Sequence, residues 1–281
     1  MDQAYMDGSQ TAPARRVELR SADGTRLVAT DRGKGTAILI VHGGASTAAT
    51  WEFVADRLAE RHRVLCLERR GYGVSDEGVS PHSIAAETED VRALAATAGE
   101  PVLLVGHSSG AVVALETALA APRTCAGLLL YEPPVAVDRP LGGEALRLAR
   151  AQLDQGRPEQ AMATHLRRIV GMSRRSVLLM RALPPMRVML GNQAEAQIRD
   201  DEAIEALGVG LDRYASLDVP VLLLGGERSP AHLRARLDAL ARVLPRVHRM
   251  TIMPGQGHMA NFRAPGDVAR VVADFAEDVL G

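Results

Sequence analysis

The chain has 281 residues, of which 47% are hydrophobic, and a formal net charge of −1 at pH 7. This length can bury the core of one large domain or of a domain with an insertion, and the near-neutral charge argues against general nucleic-acid binding. No membrane-length run of about twenty apolar residues appears, and residues 1–16 lack the apolar centre of a signal peptide. We therefore expect a soluble, cytoplasmic protein without a membrane partner.

Short β-rich runs alternate with longer helical patterns, which is typical of a mostly parallel sheet with helices on both faces. Residues 1–16 are expected to be a flexible tail, disordered to about Pro13. Eight strands are predicted, at 17–20, 26–30, 37–41, 64–67, 101–105, 126–131, 219–224 and 247–253. Helices are predicted at about 51–61, 84–98, 111–121 and 267–280.

The alternation breaks between the sixth and seventh strands. Residues 134–217 contain no convincing strand and read as several helices, so we expect a helical lid inserted into a body formed by 1–133 and 218–281. Nine apolar positions of the lid could line a pocket, although most are expected to pack the lid onto the body: Leu146, Leu153, Met162, Ile169, Leu178, Leu179, Met186, Met189 and Leu190.

The fifth predicted strand leads into Gly106-His107-Ser108-Ser109-Gly110, and a helical run follows. When Gly-x-Ser-x-Gly lies between a strand and a helix, the serine occupies a strained turn that exposes its hydroxyl. The small residues beside the serine allow the strand and the helix to approach closely. Ser108 is therefore the candidate nucleophile.

Three further motifs lie elsewhere in the chain, two before this turn and one after it. They are His42-Gly43-Gly44, Arg70-Gly71-Tyr72-Gly73-Val74-Ser75 and Gly255-Gln256-Gly257-His258. Together the four motifs resemble those of the α/β-hydrolase superfamily with a helical cap, over nearly all of 17–280. The resemblance implies a doubly covered, mostly parallel eight-stranded sheet and a serine hydrolase. No cofactor or metal is expected, because the sequence has neither a phosphate-binding loop nor clustered metal ligands.

A serine hydroxyl needs a base to take its proton as it attacks, and imidazole is suited to that near neutral pH. His258 is the predicted base, because the resemblance puts its loop over the Ser108 turn. His42 and His107 also lie inside motifs, but beside the sheet edge, where structural hydrogen bonding is the expected role.

Attack on an acyl carbonyl builds negative charge on its oxygen, which backbone amides can stabilise. The amide of Ser109, the residue after the nucleophile, is one expected donor. Gly44 is the other, since glycines there allow close approach of the backbone.

The acid departs from the commonest family pattern. Many relatives carry an Asp after the penultimate strand, where this chain has Ser229, and a neutral hydroxyl cannot stabilise an imidazolium as a carboxylate does. Glu132, at the end of the strand after the serine's helix, is the preferred acid, as in zearalenone-type lactonases and haloalkane dehalogenases. Glu227 is the second candidate.

These residues predict hydrolysis of a carboxylic ester or lactone of a small, largely apolar molecule. Thioester hydrolysis, carbon–carbon bond hydrolysis and perhydrolysis use the same residues and stay open, as does a ligand-binding or lyase role of the same fold. Haloalkane dehalogenases and epoxide hydrolases use an Asp where Ser108 stands, which disfavours both activities. The two cysteines, Cys66 and Cys125, are expected to be buried thiols.

Overall fold

The computed structural model describes residues 14–78, 81–99 and 101–281, so residues 1–13 of the predicted tail lie outside it. Eight strands form one sheet, at β1 (Arg15–Arg20), β2 (Arg26–Arg32), β3 (Ala37–Val41), β4 (Arg63–Glu68), β5 (Val102–His107), β6 (Cys125–Tyr131), β7 (Val221–Gly226) and β8 (Val247–Met253). Their order across the sheet is β1-β2-β4-β3-β5-β6-β7-β8.

All neighbours from β4 to β8 in this order pair in parallel, whereas β2 is antiparallel to both β1 and β4. The predicted eight-stranded, mostly parallel sheet is confirmed. Because its central strands are parallel, the loops that follow β3, β5, β6, β7 and β8 emerge at one edge, and every predicted site residue follows one of these strands.

Ten α-helices are described, at α1 (Glu52–Leu58), α2 (Ile84–Ala96), α3 (Ser109–Ala120), α4 (Glu144–Asp154), α5 (Pro158–Thr164), α6 (Arg174–Ala182), α7 (Pro184–Glu205), α8 (Ala231–Val243), α9 (Ala260–Arg263) and α10 (Pro265–Leu280). No helix in the described ranges is both long enough and apolar enough to cross a membrane. Helix α8 was not predicted, although Leu233, Leu237 and Leu240 recur at helical spacing and are buried.

The sheet separates two apolar cores. Alternate residues of β3 face opposite sides, with Leu39 in one core and Ile38 and Ile40 in the other. Helices α2, α3 and α8 cover the first side, and α1 and α10 cover the second. Since both faces of the central strands are buried, these strands appear in the sequence as continuous apolar runs. Cys66 and Cys125 are free, buried thiols, as expected.

Between β6 and β7 the described residues form helices and no strand, including a π-helical turn at His165–Ile169. Of the nine apolar positions singled out, three are buried (Leu146, Met162 and Leu190) and three are exposed (Leu178, Leu179 and Met189). The remaining three, Leu153, Ile169 and Met186, pack against small cores that the inserted helices build largely among themselves. The insertion is therefore held together by its own packing as well as by the body.

Gly110 brings α3 against the end of β3. A Cβ at this position would overlap the carbonyl oxygens of His42 and Val41, which are backbone atoms and cannot move aside cheaply. We expect Gly110→Ala to lower the free energy of unfolding by about 1–3 kcal/mol, as forced overpacking does. Urea denaturation measures this.

Gly191 provides the matched control for that substitution. It lies inside α7, and an added Cβ would make only ordinary contact, 3.4 Å from Glu159 Cγ. Gly191→Ala is expected to raise the free energy of unfolding by up to about 1 kcal/mol through helix propensity. Equal effects of the two substitutions would contradict the close packing inferred at Gly110.

Candidate active site

Ser108 lies in the turn between β5 and α3, with φ 53° and ψ −125°. A non-glycine residue in this left-handed region is strained, and such strain is typical of functional turns. The Ser108 amide donates to the carbonyl of Tyr131 (2.9 Å), which ties the turn to the end of β6. A Cβ added at Gly43 would lie 3.0 Å from Ser108 Cβ, so the loop after β3 passes directly beside the serine.

Glu132 directly follows β6 and also has a positive φ, 48°. Its side chain is buried, and its two carboxylate oxygens have different partners. Oε1 accepts from the amide of Gly226 (2.8 Å), and Oε2 lies 2.6 Å from Nδ1 of His258. Since an ionised carboxylate only accepts, Nδ1 carries the proton of that bond and Nε2 is left free to accept one.

The His258 loop is held over the serine's turn by two contacts. His107 Nε2 hydrogen-bonds to the carbonyl oxygen of His258 (2.9 Å), and Tyr131 donates to the carbonyl of Gly257. The ring centroids of His107 and His258 lie 4.7 Å apart. In the described residues no hydrogen bond joins Ser108 Oγ to His258; catalytic bonds of this kind often tighten only when substrate binds.

The structure separates the two candidate acids. Glu227 is exposed, and its Oε2 accepts a hydrogen bond from the amide of Gly255 (2.6 Å). It therefore bonds to the backbone of the loop that carries His258 and not to the imidazole. Ser229, at the place of the common family acid, has a buried hydroxyl without a hydrogen-bond partner in the described chain. Only Glu132 among these three residues is hydrogen-bonded to His258.

The two predicted oxyanion donors follow β3 and β5. Within the part of the chain that the structure describes, the amides of Gly44 and Ser109 have no hydrogen-bond acceptor. Ser109 is the first residue of α3, where an amide is free because no helical carbonyl precedes it. Helix N-terminal amides also favour a developing negative charge.

A buried charge cluster that the sequence did not reveal lies behind Ser109. The Arg69 guanidinium donates from Nε and Nη2 to Glu87 (2.6 and 2.7 Å) and from Nη1 to Asp200 (2.8 Å). Asp200 Oδ2 also accepts from the hydroxyls of Tyr72 and Ser109, each at 2.9 Å. Burial raises the pKa of Asp200, but Arg69 and the other donors outweigh it and hold that pKa well below its usual range.

His82 completes this cluster, with Nε2 at 3.1 Å from Glu87 and 3.6 Å from Asp200. The three side chains could supply metal ligands. Both carboxylates, however, already bind Arg69, whose positive charge would repel a second cation. The cluster is better described as a charge-balanced structural network.

The charge of His82 makes stability depend on pH. Burial lowers the pKa of its imidazole, but Asp200 and Glu87 outweigh burial and raise it to about 9. An unfolded histidine titrates near 6.5, so the stabilisation is complete below about pH 6.5 and is lost as pH rises through about 9. We expect the unfolding free energy of the wild type, relative to His82→Gln, to fall by about 2–3 kcal/mol between these limits. A pH series of urea denaturations measures it, and a pH-independent difference would contradict the charged state assigned to His82.

A model of the alpha/beta hydrolase family matches residues 38–271 of the chain. The chain is also similar to the crystal structure of an alpha/beta hydrolase from Sphaerobacter thermophilus. That similarity has a TM-score of 0.81 and 30% identity, and it covers 92% of this chain and 99% of the other.

Some of the curated relatives carry names that describe a reaction. A 2-(acetamidomethylene)succinate hydrolase of Mesorhizobium japonicum is 25% identical over 99% of this chain and 100% of its own length. An N-formylmaleamate deformylase of Pseudomonas putida is 38% identical over 37% of this chain and 39% of its own length. Several curated relatives match over less than half of their length, among them an uncharacterized protein of Mycobacterium tuberculosis at 43%.

Proposed function

Because the chain belongs to the alpha/beta hydrolase family, we propose that it is a serine hydrolase that cleaves a carboxylic ester or lactone of a small, largely apolar molecule. The proposed reaction proceeds through an acyl-enzyme on Ser108 and needs no cofactor. Its proposed partner is the small-molecule substrate alone, in the cytoplasm, without nucleic acid or membrane.

In the first step Ser108 Oγ attacks the acyl carbon while Nε2 of His258 takes the hydroxyl proton. The carbonyl oxygen becomes an oxyanion, which the amides of Gly44 and Ser109 stabilise. Collapse of this intermediate breaks the bond to the alcohol, whose oxygen receives the proton from His258. Glu132 keeps the imidazole in the correct tautomer and stabilises its positive charge throughout.

In the second step a water molecule attacks the acyl-enzyme. His258 takes a proton from the water and then returns it to Ser108 Oγ as the carboxylic acid leaves. The enzyme is thereby restored without any change in oxidation state.

The observation that carries this proposal is the 2.6 Å contact between Nδ1 of His258 and the buried carboxylate of Glu132. It supports a general base next to the strained turn of Ser108. Burial of a carboxylate costs free energy unless its oxygens are paired. Here Oε2 is paired with His258, and Oε1 accepts a hydrogen bond from the amide of Gly226.

Hydrolysis of an N-acyl bond is the second candidate. Two of these relatives, the 2-(acetamidomethylene)succinate hydrolase and the N-formylmaleamate deformylase, act, by their names, on a compound with an amide nitrogen. The same residues suit this chemistry, since His258 would protonate a leaving nitrogen as it protonates a leaving oxygen.

A substrate panel tests the proposal. The purified protein is assayed against 4-nitrophenyl acetate and butyrate, a lactone, a thioester and an N-acyl amide, with Ser108→Ala as the matched inactive variant. Turnover of an ester or lactone at least a thousandfold above Ser108→Ala is expected, from the size of serine-triad effects. Turnover of the amide alone would favour the second candidate, and equal rates of both proteins on every substrate would contradict both.

A further inference from the structure

Helix α7 packs against the loop that carries Gly44. The next residue, Ala45, contacts an apolar cluster of the inserted helices formed by Met162, Leu190 and Ala194. Further along α7, Gln197 is only 6% exposed, and a Cβ added at Gly44 would overlap its Oε1 and lie 3.0 Å from its Cδ. The side-chain amide of Gln197 is therefore in direct contact with the predicted oxyanion loop.

The direction of that amide is fixed by its partner. Gln197 Nε2 donates to Asp201 Oδ1 (3.0 Å), and the other oxygen of Asp201 lies 2.6 Å from Nδ1 of the buried His165. A carboxylate can only accept, so the amide nitrogen must face Asp201. Oε1 must then face the opposite way, toward Gly44.

Oε1 has no hydrogen-bond donor among the described residues, and the Gly44 amide does not donate to it. Oε1 is not among the fully enclosed polar atoms, so water can reach it although most of the side chain is buried. A substrate donor that displaces this water must supply the hydrogen bond that Oε1 would otherwise lose. This acceptor lies beside Gly44, whose amide is proposed to bind the substrate's carbonyl oxygen.

We infer that Gln197 Oε1 is a specificity-determining acceptor for substrates that carry an N–H or O–H donor within two bonds of the reacting carbonyl. This inference rests on the proposed function and narrows its substrate class. The donor replaces water at Oε1, while an analogue with a methyl group in place of that hydrogen leaves the acceptor unpaired.

Matched methyl esters test the inference, with hydrolysis followed by proton release. N-Acetylglycine methyl ester is compared with N-acetylsarcosine methyl ester for an N–H donor, and methyl glycolate with methyl methoxyacetate for an O–H donor. We expect the wild type to prefer the donor-bearing member of at least one pair by roughly five- to tenfold in kcat/KM, the worth of one neutral hydrogen bond. The pair that shows the preference identifies the donor.

Gln197→Met keeps the length and volume of the side chain but removes Oε1, and we expect it to abolish the preference. Asp201→Asn, which leaves Gln197 in place but frees its amide to turn, should reduce it. The control Gln160→Met makes the same change on an exposed position of α5 and should leave the preference intact.

Three results would overturn the inference. They are a wild type without a preference in either pair, a preference that survives Gln197→Met, and an equal loss of the preference in Gln160→Met. A wild type that hydrolyses 4-nitrophenyl butyrate while failing these tests would leave the proposed function standing. If the wild type hydrolyses none of these esters, the proposed function and the inference are both overturned.

Discussion

Replacing Glu132 by Gln is expected to lower kcat by roughly two to four orders of magnitude, as loss of the triad carboxylate does in serine hydrolases. The amide cannot stabilise the imidazolium, and it can present an N–H to Nδ1 where the carboxylate only accepts. His258 would then be held in the wrong tautomer, with its proton on the nitrogen that should accept one from Ser108. Steady-state kinetics on the best ester of the panel measure this loss.

Glu227→Gln is the matched control, because it makes the same chemical change in the other candidate acid. Glu227 is exposed and bonds the amide of Gly255 rather than His258, and a glutamine oxygen can accept that bond equally well. Its kcat should stay within about threefold of the wild type, since surface changes cost little. Full activity in Glu132→Gln with a large loss in Glu227→Gln would show that the acid is wrongly assigned.

Replacing Arg69 by Met is expected to lower the free energy of unfolding by about 3–5 kcal/mol, the range for breaking a buried ion pair from one side. Arg69, Glu87 and Asp200 are almost completely inaccessible to solvent, so the two carboxylates would keep their burial and lose their main counter-charge. Chemical denaturation monitored by circular dichroism gives the difference.

The exposed pair of Arg234 and Asp238 on α8 supplies the control. The two side chains are 51% and 42% exposed, and Arg234→Met should cost under about 1 kcal/mol, as exposed ion pairs do. A loss of less than 1 kcal/mol in Arg69→Met as well would contradict the interpretation of the cluster as a network that ties α7 to the body.

Features that depend on local sequence were predictable. The serine turn is a pattern of five consecutive residues between a strand and a helix, and continuous apolar runs mark the buried parallel strands. Glu132 was predicted because it ends a strand at the sheet edge where the serine lies. Glu132 and His258 are 126 positions apart in the chain. A local sequence pattern does not show that they meet; only the expected order of the strands indicates it.

Features that depend on distant partners were not predictable. Arg69 directly precedes a motif and was given no role, and Asp200 lies 131 positions away in a segment with no sequence signal for burial. A charged residue is normally exposed unless it is paired, and the pairing exists only after the inserted helices have folded onto the body. Gln197 was missed because a glutamine is also normally exposed, and its burial depends on how the inserted helices pack.

Reaction with a fluorophosphonate, followed by intact-protein mass and peptide mapping, tests the central claim that Ser108 is the nucleophile. We expect one adduct per chain, located on Ser108 and absent from Ser108→Ala. An ester-hydrolysing protein that is labelled at another residue, or that remains unlabelled and fully active, would contradict the account.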